Sequence, residues 1–127
     1  MANILIVDDS VTVRTQLKND LANEGHASGE AGTGLEALGY LEENGSSIDL
    51  ILCDVNMPEM DGLTLCRELH KNPALCNIPV VMLTTQTGAD MKAEGKEHGV
   101  IAWVIKPYDK TKLMAGIAKI LSRSRAL

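Results

Sequence analysis

Four apolar runs in this chain end abruptly on side chains that can do chemistry. Asn3–Val7 (NILIV) runs into the acid pair Asp8 and Asp9, and Ile48–Cys53 runs into Asp54. PVVML runs into the hydroxyls of Thr84 and Thr85, and Val100–Ile105 (VIAWVI) into the ammonium of Lys106. If these ends meet, three carboxylates repel one another unless a cation lies among them. Hard oxygen ligands without His or Cys suit Mg²⁺ with retained waters better than zinc. The chemistry that uses such a set is phosphoryl transfer to a carboxylate, with Asp54 as candidate nucleophile forming an aspartyl phosphate. Lys106 and the metal would neutralise the transferring group, and Thr84 would donate a hydrogen bond to a phosphoryl oxygen.

For those ends to meet, the runs must be strands of one sheet. Near-continuous apolar runs are what strands buried on both faces look like. Between them lie helical stripes. Val13, Leu17 and Leu21 follow a Ser10 cap and stop at Gly25, and Leu35, Leu38 and Leu41 lie in Thr33–Asn44, closed by Gly45. Leu65, Cys66 and Leu69 share a face of Leu63–Lys71. Leu113, Ile117 and Ile120/Leu121 face the core from a last helix that Asp109 can cap. Gly88–His98 has helical composition but offers only Ala89, Met91 and Ala93 as apolar residues. Gly95 inside it costs ~1 kcal/mol against Ala, so this helix is expected at the low-stability end of the molecule. His26–Glu30 is poor in apolar residues and fits an edge strand. Strands alternating with helices argue for right-handed crossovers in a parallel sheet. Five such units predict an α/β, flavodoxin-like (βα)5 doubly wound fold of strand order 2-1-3-4-5. That order gathers the ends of strands one, three, four and five on the rim where open α/β sheets bind ligands.

At 127 residues, 45% of them hydrophobic, the chain reads as a single domain with its core at about 3–122. No apolar run approaches the ~20 residues of a membrane span, and MANILIVDD lacks the basic start of a signal peptide. Cys53, Cys66 and Cys76 are an odd number without metal spacing and read as apolar filler in a reduced, cytoplasmic setting. The net charge of −5 hides an asymmetry. Residues 1–87 hold 4 basic and 13 acidic side chains, a net −9, whereas residues 88–127 hold 8 and 4, a net +4. An overall negative chain makes bulk nucleic acid a poor partner, while the basic last third suits an acidic protein segment.

On the motifs ILIVDDS, ILCDVNMPEMDG, VVMLTTQ and AWVIKPY, the chain resembles two-component response-regulator receiver domains of the CheY-like, stand-alone kind. The resemblance spans essentially the whole length. It implies Asp54 as phosphoacceptor, and Mg²⁺ held by Asp9, Asp54 and the Asn56 main-chain carbonyl, with Asp8 acting through water. It implies Thr84 and Lys106 as the phosphoryl-sensing pair and Trp103 as a switch aromatic that turns into space Thr84 vacates. A cis bond between Lys106 and Pro107 also follows from it. So do a phosphohistidine donor, on a histidine kinase or histidine phosphotransfer protein, and a protein target bound at the fourth helix, fifth strand and last helix. The chain would then be a signalling phosphoacceptor rather than an enzyme, catalysing only its own phosphorylation and dephosphorylation. Only Ser122–Leu127 follows the last helical stripe, so no output domain is expected. The signal would leave by protein contact, and an acidic segment such as a flagellar motor switch peptide would suit Lys92, Lys96, Lys110, Lys112 and Lys119.

Other readings compete. A phosphorelay intermediate would pass its phosphoryl group on to a histidine phosphotransfer protein, and a receiver could also belong to a longer regulator. An aspartate-nucleophile phosphatase commonly has a second Asp two residues after the nucleophile, where this chain has Asn56. A flavin-binding relative would need backbone donors where DDSVTVR places carboxylates. One departure from the family's usual pattern is Thr85, where Ala or Gly often follows the switch hydroxyl. A β-branched side chain there would restrict attacking water and lengthen the life of the phosphoryl group.

Overall fold

A computed structural model describes residues 2–125, so the expected domain bounds of 1–127 reach past the described residues at Met1, Ala126 and Leu127. In chain order the elements are β1 (Asn3–Val7), α1 (Val11–Asn23), β2 (Ala27–Ala31), α2 (Gly34–Asn44), a 3-10 turn (Gly45–Ser47), β3 (Leu50–Cys53), α3 (Gly62–His70), β4 (Val80–Thr84), α4 (Ala89–Glu97), β5 (Val100–Ile105) and α5 (Lys110–Arg125). The five strands form one parallel sheet in the order β2-β1-β3-β4-β5. The sequence predicts this architecture, and β2, with its burial broken by small and polar residues, is the edge strand it was expected to be.

The apolar runs are explained by alternation. Leu5, Val7, Ile51, Cys53, Val80 and Met82 point to one face and pack with Ala37 and Leu41 of α2 and Leu65, Cys66 and Leu69 of α3. Ile4, Ile6, Leu50, Leu52, Val81 and Leu83 point to the other and pack with Leu17 and Leu21 of α1 and Leu113, Ile117 and Leu121 of α5. Successive side chains on a strand face opposite ways, so a sheet covered on both sides needs apolar residues at every position. None of the helices among the described residues is long and apolar enough to cross a membrane.

Two local expectations, for Leu35 and Gly95, need correction. Leu35 is 52% exposed, and the buried stripe of α2 is instead Gly34, Ala37 and Leu41, with Leu38 and Tyr40 packed at its margin. Residues spaced by three drift backward by roughly 60° per step on a 3.6-residue helix, so Leu35 has rolled away from the side that Leu41 occupies. Gly45 closes α2 as expected, at φ −56° rather than in a left-handed conformation, and leads into the 3-10 turn. Its value is space, since a Cβ there would lie 2.3 Å from Cδ2 of Leu75. Gly95, the one buried residue of α4, is likewise more than a weak point in a helix. A Cβ there would come within 3.2 Å of Val100 and 3.3 Å of Trp103. Its absence lets α4 sit close on β5.

Candidate functional site

The sheet ladder continues one residue beyond the strands, and this places the site. Asp8 donates its N–H to the Ala31 carbonyl (3.1 Å) and Asp54 donates to the Val7 carbonyl (2.9 Å). Lys106 donates to the Thr84 carbonyl (2.9 Å). Each backbone is therefore fixed on the carboxyl rim before its side chain makes any contact. Pairing of Val7 with Cys53 and of Cys53 with Met82 sets the relative heights of β1, β3 and β4.

Side chains from distant parts of the chain converge there. Lys106 Nζ lies 2.7 Å from Asp8 Oδ2 and 2.9 Å from Asp54 Oδ2. Asp8, Asp9 and Asp54 each offer an oxygen within 4.8 Å of the others. Asp8 and Asp54 are buried, and Asp9 is exposed. The second oxygens are also engaged: Asp8 Oδ1 accepts from the Ser10 N–H (2.9 Å) and Asp54 Oδ1 from the Asn56 N–H (3.1 Å). Arg14 Nη1 donates to the Asp8 carbonyl oxygen at 2.6 Å, and its Nε pairs with Glu30 at 3.2 Å. Partial burial opposes charge on Lys106, but its hydrogen bonds to Asp8 and Asp54 and their negative charge outweigh this and raise its pKa.

Three carboxylates against one ammonium leave two negative charges uncompensated within a few ångströms, and all the donors are hard oxygen. Charge and ligand type both suit Mg²⁺.

The other predicted residues lie around this centre. Thr84 is fully buried at the end of β4, and its Oγ1 accepts from the Gln86 N–H at 3.3 Å. The Gln86 carbonyl in turn accepts from Trp103 Nε1 at 2.7 Å. One loop residue thus joins the hydroxyl to the indole, which is half-buried against α4. The peptide between Lys106 and Pro107 is cis. Asn56 is exposed in the loop after β3. Gly62 closes that loop: its N–H donates to the Val55 carbonyl (2.9 Å), and a Cβ on it would lie 2.3 Å from the Asp54 carbonyl oxygen. Asp61 caps α3 by accepting from the Thr64 N–H at 2.8 Å.

Two contributors escape a sequence reading. Arg14 sits among ordinary surface residues of α1 and carries no local signal. Asp20 is buried at 8% exposure, with Oδ2 accepting from the Tyr108 hydroxyl at 2.7 Å. A signal for it exists, because an acid at position 20 interrupts the apolar stripe of Leu17 and Leu21.

A family model described as response regulator receiver domain matches residues 4–118. Among curated proteins, the chain is 36% identical over 121 residues to chemotaxis protein CheY of Pseudomonas aeruginosa, covering 94% of this chain and 96% of that one. It is 39% identical over 121 residues to the probable transcriptional regulator ycf27 of Cyanidium caldarium, covering 95% of this chain. It spans 47% of that relative's length and 27% of that of the transcriptional regulatory protein ZraR of Escherichia coli. The solved structure of Vibrio cholerae chemotaxis protein CheY4 is similar at a TM-score of 0.87 and 32% identity, covering 94% of this chain and 98% of that one.

Proposed function

The chain belongs to the response regulator receiver domain family, and on that premise we propose that it is a signalling phosphoacceptor whose acceptor is Asp54. The observation that carries this reading is the single ammonium of Lys106 shared between Asp8 and Asp54, with Asp9 beside them. In the proposed reaction an Asp54 oxygen bonds to the phosphorus of a phosphohistidine as the phosphorus–nitrogen bond breaks. The imidazole, already protonated on its other nitrogen, leaves neutral. Asp9, Asp54 and the Asn56 carbonyl would hold Mg²⁺, with Asp8 acting through water. When bound, the ion supplies neutralisation of the phosphoryl oxygens. Lys106 then moves its charge from the two carboxylates to the phosphoryl group, and Thr84 exchanges its contact with Gln86 for a phosphoryl oxygen.

Release of Gln86 gives the signal a route outward, because the same residue holds the Trp103 indole. Trp103 packs against Gly95, so its movement would be felt by α4 and β5. An open groove there is lined by Lys92, Lys96, Ile101 and Trp103, with Ile101 53% exposed. Lysines around an exposed apolar side chain suit an acidic protein partner with an apolar anchor. A protein target rather than nucleic acid is consistent with the net charge of −5. Cytoplasmic operation in a chemotaxis-type pathway, with a histidine kinase or phosphotransfer protein as donor, is supported by the match to CheY.

The chain has a single Trp, so its emission reports directly on the switch. Adding beryllofluoride, a phosphoryl mimic, with Mg²⁺ is expected to change Trp103 emission saturably in the wild type but not in Asp54→Asn. Emission that ignores beryllofluoride, or an undiminished response in Asp54→Asn, would refute the proposal.

A further inference from the structure

Resting on the receiver reading, we propose that Asp20 and Tyr108 form a latch that positions Lys106 for phosphoryl transfer, using α1 as a common strut. Lys106 reaches its partners from the segment between β5 and α5. The backbone of that segment is held at one end by the Lys106 N–H on the Thr84 carbonyl (2.9 Å) and at the other by the Leu113 N–H on the Asp109 carbonyl (2.9 Å). Pro107 has no N–H to add. Asp109 Oδ1 also accepts from the Lys112 N–H (3.0 Å), and a further anchor is the Tyr108 hydroxyl, which donates to Asp20 at 2.7 Å, with Lys110 Nζ 3.8 Å from the other oxygen of the same carboxylate.

Asp20 is buried on the core-facing side of α1, where a carboxylate is costly unless a donor reaches it. Burial, and then the bond and charge of Asp20, push the Tyr108 hydroxyl well above its ordinary pKa, so it stays a donor at physiological pH. The first turn of the same helix carries Arg14, whose guanidinium donates to the Asp8 carbonyl at 2.6 Å. One rigid helix therefore grips both sides of the site, Asp8 through Arg14 and the Lys106 segment through Asp20. Tyr108 also walls a cavity of about 290 Å³ beside Lys106, together with Val13, Gln16, Thr85 and Pro107. Losing the latch would free the ring into that space and let the Lys106 backbone drift. Both residues are positioning residues, since neither touches the acceptor.

The test is the initial rate of Asp54 phosphorylation from phosphoramidate with excess Mg²⁺, each variant first being shown by thermal melting to be folded. Tyr108→Phe keeps the ring and is expected to slow the reaction roughly 3–10-fold. Asp20→Leu should do the same, and Asp20→Asn, which keeps an acceptor oxygen, should restore most of the rate. If Asp20→Leu does not fold, Tyr108→Phe and Asp20→Asn carry the comparison. The readout that a merely structural role would not move is dependence on Lys106: in a Lys106→Ala background, Tyr108→Phe should cause no further loss. A wild-type rate in Tyr108→Phe, or an equal further loss without Lys106, overturns the latch while leaving Asp54 as acceptor. Failure of the wild type to take up phosphoryl at all overturns the receiver reading and the latch with it.

Discussion

One ammonium shared between two buried carboxylates decides the character of the site. Without the metal, the one charge of Lys106 relieves only part of the repulsion, and two negative charges stay in excess, with exposed Asp9 outside the Lys106 contacts. In chelator, Asp9→Asn is therefore expected to raise the melting temperature by roughly 2–4 °C, and Mg²⁺ should stabilise that variant less than the wild type. A lower melting temperature for Asp9→Asn would show that the three acids are not crowded. The cysteines make a separate residue-scale prediction. Burial, then the nearby charges of Cys66, Asp54, Asp8 and Asp61, push the Cys53 thiol well up, and burial followed by Asp61 pushes Cys66 up to about 12. Cys76 is half-exposed, whereas the other two cysteines are buried. A thiol reagent at neutral pH should titrate one thiol in the native chain and three in denaturant. Rapid reaction of all three without denaturant would contradict the packing.

At the scale of elements, Asp54 is held by backbone contacts of neighbouring elements. Gly62 opens α3 against the Asp54 carbonyl with no room for a methyl group, and a Cβ would also lie 3.1 Å from the Val55 Cα. Gly62→Ala is expected to cost about 2–4 kcal/mol in chemical denaturation, because the obstruction is backbone that cannot rotate away. A loss near the few tenths of a kcal/mol of a surface change would mean that α3 docks elsewhere. Helix α4 is the opposite case, since it buries only Gly95 and pairs Glu94 with Arg67 at an exposed 3.3 Å. Its amide protons should exchange orders of magnitude faster than those of β4; equal protection would contradict a readout element with little holding it. The sequence makes β3 and β4 legible because burial on both faces leaves an unbroken apolar run. It also reveals the rim residues, because a charged or hydroxylated stop after such a run has few structural reasons to exist. Leu35 and Gly95 are misread from sequence because their roles depend on what packs opposite, which for Gly95 is Val100 and Trp103. The Tyr108–Asp20 contact was beyond reach for the same reason, with 88 residues separating its partners.

Across the whole molecule, acidic and basic side chains are divided unevenly along the chain. The first 87 residues carry a net −9 and supply all three acids of the rim, whereas the last 40 carry +4 and supply Lys106 and the lysines of the α4–β5 groove. Thr84, Gln86 and Trp103 form a short hydrogen-bonded path from one to the other. Under the proposed function, a change of charge at Asp54 would alter a surface formed by other elements along this path. The proposed function turns on whether Asp54 accepts a phosphoryl group. Mass spectrometry of the chain after incubation with phosphoramidate and Mg²⁺ tests that most directly. One phosphoryl group per chain, located on Asp54, absent in chelator and absent in Asp54→Asn, is the predicted result. Uptake that persists in Asp54→Asn, or no uptake by the folded wild type, would contradict it.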